Sequence, residues 1–134
     1  MSGPDIIQPP GWPRPSGYAE GVAASGRTIF VSGQVGWDPA TRELVGRDFA
    51  GQARRALENV LAVLRAAGAW PSDVTRMTWY ITDLTLYTTA RAELGAAWRE
   101  LFGTHYPAMS VVQVAALLEV GALVEIEATA VTGG

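Results

Sequence analysis

The chain has 134 residues, 49% hydrophobic and 17% charged, with a formal net charge of −3. That is the size of one domain with enough apolar residues for a packed core, and no apolar run is long enough to cross a bilayer. The absence of cysteine excludes disulfides, thiolate catalysis and cysteine metal sites, and the acidic balance argues against nucleic acid, which calls for a basic stripe.

Residues 1–16 carry Pro4, Pro9, Pro10, Pro13 and Pro15. Proline lacks an N–H and fixes φ, so an extended arm is expected there, followed by one domain over residues 17–134. The same stretch has no basic region leading into an apolar one, so it does not read as a signal peptide, and a cytoplasmic protein is expected. The run GYAEGVAASGRTIFVSG predicts a hairpin turning at Ser25-Gly26. WDPATREL predicts a second turn, with Asp38 and Pro39 in type I positions.

Asp48 is a good N-cap for a helix reaching about Ala67, with Gly68 just past its end. Phe49, Ala53, Leu57, Val60 and Leu64 make its apolar stripe. DVTRMTWYITD predicts a strand in which Thr75, Met77, Trp79 and Ile81 alternate with Val74, Arg76, Thr78 and Tyr80. A second helix is predicted over Leu86–Phe102, ending at Gly103 and weakened by Gly95 by about 1 kcal/mol relative to alanine. Two strands are then predicted on either side of a turn near Glu119–Ala122. In the last of them Leu123, Glu125, Glu127 and Thr129 share one face.

The resulting order, β-β-α-β-α-β-β, gives an α+β layer fold: a single sheet with both helices on one face. The other face is bare unless a second chain covers it. Tyr80, Val112 and Val114 are apolar positions there, so an oligomer is expected.

Chemistry is sparse. SGQVG, Ser32–Gly36, lacks the spacing of a dinucleotide fingerprint, and there is no phosphate loop. His105, the single histidine, has no nucleophile, orienting acid or co-ligands at a useful spacing, so it reads as a helix-end or surface residue. No metal site and no cofactor site are expected. Glu125 is either part of a solvated edge or a carboxylate at a subunit cleft serving as general acid or base. Arg91 reads as part of a solvated helix face.

Taken together, RTIFVSGQVGWDPATREL, QARRALENVLAVLRAAGA, DVTRMTWYITDL and YPAMSVVQVAALLEVGALVEIEATAV resemble the Rid (reactive intermediate deaminase; YjgF/YER057c/UK114) family, in order and over about Gly17–Val131. The resemblance implies a chorismate-mutase-like homotrimer with a barrel-like centre and small-molecule ligands in clefts between subunits. It implies cofactor-independent hydrolysis of enamines and imines such as 2-aminoacrylate and 2-iminopropionate. No nucleic-acid or membrane partner is expected.

The family's cleft tyrosine matches Tyr18, preceded here by Gly17 instead of proline. Its SGQ strand end matches Ser32, Gly33 and Gln34, and its catalytic glutamate matches Glu125. The family's Pro-Ala-Arg-Ser, whose arginine grips the substrate carboxylate, is here Pro107-Ala108-Met109-Ser110. The cysteine often found two residues later is Val111, and an asparagine of the second helix falls on Arg91. Methionine cannot form the arginine's bidentate charged pair. The resemblance therefore implies either a deaminase with an altered substrate or a non-catalytic trimer that binds a small metabolite in the same clefts.

Overall fold

A computed structural model describes residues 4–133. Its main sheet has four strands: β3 (Arg27–Val35), β4 (Val74–Ile81), β5 (Ala108–Gln113) and β6 (Val124–Thr132). Their order is β3-β6-β4-β5, with β6 antiparallel to both neighbours and β5 parallel to β4. A separate two-stranded ribbon pairs β1 (Asp5–Ile7) with β2 (Gly21–Ala23). The architecture is the expected α+β fold, with its helices packed on one face of a mixed sheet.

Helix α1 (Phe49–Ala66) forms as its stripe dictates. Phe49, Ala53, Leu57, Val60 and Leu64 are all buried. The Asp48 Oδ2 atom accepts the Gly51 N–H at 2.9 Å. At the other end Gly68 takes φ +79° while the Ala69 N–H returns to the Leu64 carbonyl at 2.9 Å, a glycine stop. Gln52 is fully buried on this helix. Its Nε2 donates to the carbonyls of Gly46 (2.9 Å) and Gly121 (3.2 Å), and its Oε1 accepts the Leu123 N–H at 2.8 Å. One side chain thus ties two loops to the start of β6.

Three expectations are corrected. The hairpin at Ser25-Gly26 is absent: β2 pairs with β1, and β3 pairs with β6. Gly26, at φ +142°, lies so close to the Thr132 carbonyl that a Cβ there would collide with it, so the bend serves the β3–β6 edge. The second helix is two helices, α2 (Leu84–Thr89) and α3 (Arg91–Phe102), joined at Ala90 with φ −96° and ψ 13°. The Asp83 Oδ1 atom caps α2 by accepting the Thr85 N–H (2.9 Å) and hydroxyl (2.7 Å), which starts the helix two residues early. Finally, β5 and β6 are not a hairpin pair, because β4 lies between them. The turn at Glu119–Ala122 exists, with Gly121 at φ +88°, but it sits in a crossover.

The register sorts the two sheet faces. Met77 pairs with Met109, Trp79 with Val111 and with Ile126. These point to the helices, where Met77, Trp79 and Ile126 are buried and Met109 and Val111 pack on the core. Tyr80 pairs with Glu125 and Thr78 with Glu127, on the opposite face. That face also carries Phe30, 79% exposed. Among the described residues no helix is long and apolar enough to cross a membrane.

Candidate active site

On the open sheet face, Ser32 and Gly33 fall in a register shift between Val31 and Gln34, and neither has a partner in the β6 ladder. A bulge at this point bends the strand and takes local backbone out of the ladder. Gly33 leaves room there for the Glu125 carboxylate, which packs directly on the glycine and would have to move if a Cβ were added. Gln34 Nε2 reaches the Ser32 hydroxyl at 3.4 Å and the Ser32 carbonyl at 3.3 Å, closing the bulge on itself. A cavity of about 260 Å³ opens beside these residues, lined by Gly33, Val35, Trp37, Leu118, Glu119 and Glu125. Nearby on the same face the Tyr80 phenol is raised above its usual 10, by desolvation first and by the adjacent Glu127 and Glu125 carboxylates second.

On the helix side, Met109 and Arg91 line one cavity of about 230 Å³, together with Gly17, Trp79, Tyr87 and Trp98 among others. Arg91 lies with its guanidinium carbon 5.7 Å from the Tyr87 ring centroid. It is therefore a wall of the cavity, not part of a wholly solvated helix face. Val111 packs on the core beside Trp79 and does not line this cavity. Tyr18 is 41% exposed and borders a neighbouring groove with Tyr106 and His105. The segment carrying it is fixed by the Ala19 N–H, which donates to the Pro107 carbonyl at 2.9 Å.

The structure thus gathers Ser32, Gly33 and Glu125 on one face of the sheet. It gathers Met109 and Arg91 on the other, with Tyr18 close by in sequence to the cavity wall. A single chain does not bring the two groups together. His105 is half-buried: its Nε2 meets the Val74 carbonyl at 2.7 Å, while its own carbonyl accepts the Trp98 indole N–H at 3.0 Å. It braces the start of β4 against α3 and borders the groove beside Tyr18, and it lines neither of the two cavities above. Among the described residues no group of three or more His, Asp or Glu side chains is placed to hold a metal ion. Sequence reasoning missed Trp79, Tyr87 and Trp98 as cavity walls: Trp79 and Tyr87 follow the apolar periods of their elements, and Trp98 carries no motif that marks it out.

Comparison with known proteins bears on this divided site. The family model described as Endoribonuclease L-PSP matches residues 13–132. The chain is 35% identical over 116 residues to the human protein named 2-iminobutanoate/2-iminopropanoate deaminase, covering 87% of this chain and 80% of that one. The crystal structure of the Rid-family protein YyfB from Yersinia pestis superposes with a TM-score of 0.85 at 36% identity, covering 98% of this chain and all of that one. TdcF of E. coli, solved with bound serine, superposes at 0.68 with 38% identity, covering 96% and 99%. Fold, length and sequence agree throughout, and this chain belongs to the Rid (YjgF/YER057c/UK114) family.

Proposed function

We propose that the protein is a cytoplasmic homotrimer that hydrolyses the C=N bond of an imine, or of the imine tautomer of an enamine, in clefts between subunits, without a cofactor. The observation that carries this reading is the Glu125 carboxylate seated on Gly33 in the open sheet face. A carboxylate there has a cavity beside it and backbone freed by the bulge within reach of a ligand. Human and E. coli relatives of the same fold, one named an imino-acid deaminase and one solved with an amino acid bound, support the substrate class.

The chemistry asks little of the protein. Glu125 takes a proton from water as the oxygen adds to the imine carbon, the π electrons move onto nitrogen, and Glu125 passes that proton to the nitrogen, returning to the carboxylate. Glu125 then carries the hydroxyl proton of the resulting carbinolamine to its amine, and collapse forms the C=O bond and expels ammonia. Ser32 and the freed backbone at Gly33 hold the substrate in this half. A neighbouring subunit supplies the other half, with Met109, Arg91 and Tyr18, and Val111 behind them in the core. Because Met109 offers no cation, small 2-imino acids lose a charge-assisted bidentate contact of about 1.5–3 kcal/mol per bond.

The test is 2-iminopropionate hydrolysis by wild type and by Met109→Arg, followed as pyruvate and ammonia release. Little activity in the wild type and a gain of about tenfold or more in the variant are expected. Equal activity in both would sink the idea that Met109 sets substrate choice. Inactivity of both proteins, on this and on larger imines, would favour the second reading, a trimer that only binds a metabolite. The absence of the carboxylate-gripping arginine is what favours that reading.

A further inference from the structure

The helix-side cavity contains more than the loss of an arginine requires. Four aromatic side chains line it: Trp79, Tyr87, Trp98 and Tyr106. Two of them are held rigidly. Trp98 stacks on Phe102 at 4.1 Å between centroids and on Tyr106 at 5.9 Å, both within 10° of parallel, and its indole N–H is fixed on the His105 carbonyl. Trp79 meets Tyr87 edge to face at 5.7 Å and 89°. Flat walls spaced around roughly 230 Å³ suit a planar ring. An apolar cavity of roughly 150 Å³ already accepts benzene.

The charges at this cavity are of one sign. Arg91 and Arg99 both line it, and no aspartate or glutamate does. Among the described residues neither arginine is in an ion pair, whereas Arg54 and Arg55 of α1 are paired with Glu58, Glu100 and Asp38. Arg99 folds back over Gly95, with Nη1 3.3 Å from where a Cβ at that position would stand. Trp79 is 3% exposed, and its Nε1–H is buried with no acceptor among the described residues. A buried donor without a partner is uncommon and costs stability. Two guanidiniums outside any ion pair, beside aromatic walls, ask for an anion attached to a ring.

We propose that this cavity is the side-chain and carboxylate subsite for an aromatic 2-imino acid. The ring lies among Trp79, Tyr87 and Met109, and the carboxylate lies against Arg91. Met109 then has a positive purpose: a polarizable thioether packs on a ring face or edge, where an arginine would occupy the same space. The carboxylate anchor has moved from β5 to α3, and the ring takes the volume that the strand arginine would have filled. This rests on the hydrolase reading for turnover, but not for binding.

The test uses the full-length protein and the stable 2-oxo acid products as probes. Phenylpyruvate and pyruvate are titrated by calorimetry into wild type, Arg91→Gln, Arg91→Lys and Trp79→Phe, with folding of each variant checked by circular dichroism. Phenylpyruvate is expected to bind at least about tenfold more tightly than pyruvate. Arg91→Gln should weaken it about tenfold or more, Arg91→Lys should restore part of the loss, and Trp79→Phe, which keeps a ring and removes the N–H, should weaken it several-fold. Equal affinity for the two acids, binding of neither, or indifference to Arg91→Gln would each overturn the subsite. Hydrolysis of the imine, formed in situ from phenylalanine by an added amino-acid oxidase with dioxygen as the oxidant, is assayed in parallel. Tight phenylpyruvate binding with no imine hydrolysis would keep the subsite and sink the hydrolase reading. Hydrolysis of small imines with no preference for the ring would do the reverse.

Discussion

At residue 33 a single methyl group is enough to displace the carboxylate proposed to act in hydrolysis. Gly33→Ala would push Glu125 off its seat while leaving the exposed bulge free to adjust. Imine hydrolysis should fall by about a hundredfold, the usual range for losing a positioned general base, with little change in melting temperature. Retained activity in Gly33→Ala would remove Glu125 from its proposed role. Much of this was legible beforehand: the two-residue period puts Glu125 on the face opposite the core, and the family pattern pairs it with the SGQ strand end. The Gly33–Glu125 contact was not legible, since it depends on the bulge, and nothing in SGQ signals an extra residue in the ladder. The unpartnered Trp79 N–H was equally hidden. Trp79 follows the buried period of its strand, and only the three-dimensional position of its nitrogen sets it apart. His105 shows the converse. It drew attention as the single histidine, and the fold uses it as a bracket.

Among the elements, α1 was readable almost to the residue, because cap, stripe and glycine stop all agree. The second helical segment was not, because its apolar positions Tyr87, Ala90, Leu94, Ala97 and Leu101 keep helical spacing through Ala90 while the backbone there leaves the helical region. Asp83 accounts for the early start. Its carboxylate is held below its usual value of 3.8, by the Thr85 hydroxyl first and the Thr85 backbone N–H second. A carboxyl group with a lower value folded than unfolded stabilises the fold above its unfolded value, and that contribution disappears as pH falls through the folded value. Asp83→Asn should therefore melt below wild type at neutral pH, and the gap should narrow as pH falls through and below the ordinary carboxylate range. Parallel melting curves across that range would remove the cap from the account. Because α2 carries Tyr87 and leads into Arg91, a frayed α2 should also loosen the cavity wall. The failed hairpin has a simple cause as well: β2 has three residues, and the N-terminal arm offers it a strand of matching length.

The whole molecule leaves one sheet face open, with Phe30, Tyr80, Glu125 and Val112 on it, and β5 as an edge strand. A face of this composition on a four-stranded sheet invites a covering copy. Sedimentation should find three chains per particle. Phe30→Asp should shift the protein toward monomer and abolish turnover even though Phe30 is not among the residues proposed to hold or act on substrate. A monomer that kept full activity would show that one chain suffices. The bare face was foreseen from the strand pattern; the strand order was not, because the pattern along each strand is indifferent to which neighbour it lies beside.

The division of the proposed site between two faces of one sheet has a genetic consequence. If each cleft takes Glu125 from one subunit and Arg91 from the next, damage to the two halves need not fall on the same cleft. Glu125→Gln and Arg91→Gln chains, each inactive alone, should complement when unfolded together and refolded as a mixture. Random assembly from equal amounts would leave about one cleft in four with both halves intact. Recovery of roughly a quarter of wild-type turnover from two dead parents would be the signature of a shared cleft. No recovery, from mixtures shown to contain mixed particles, would mean that each subunit works alone.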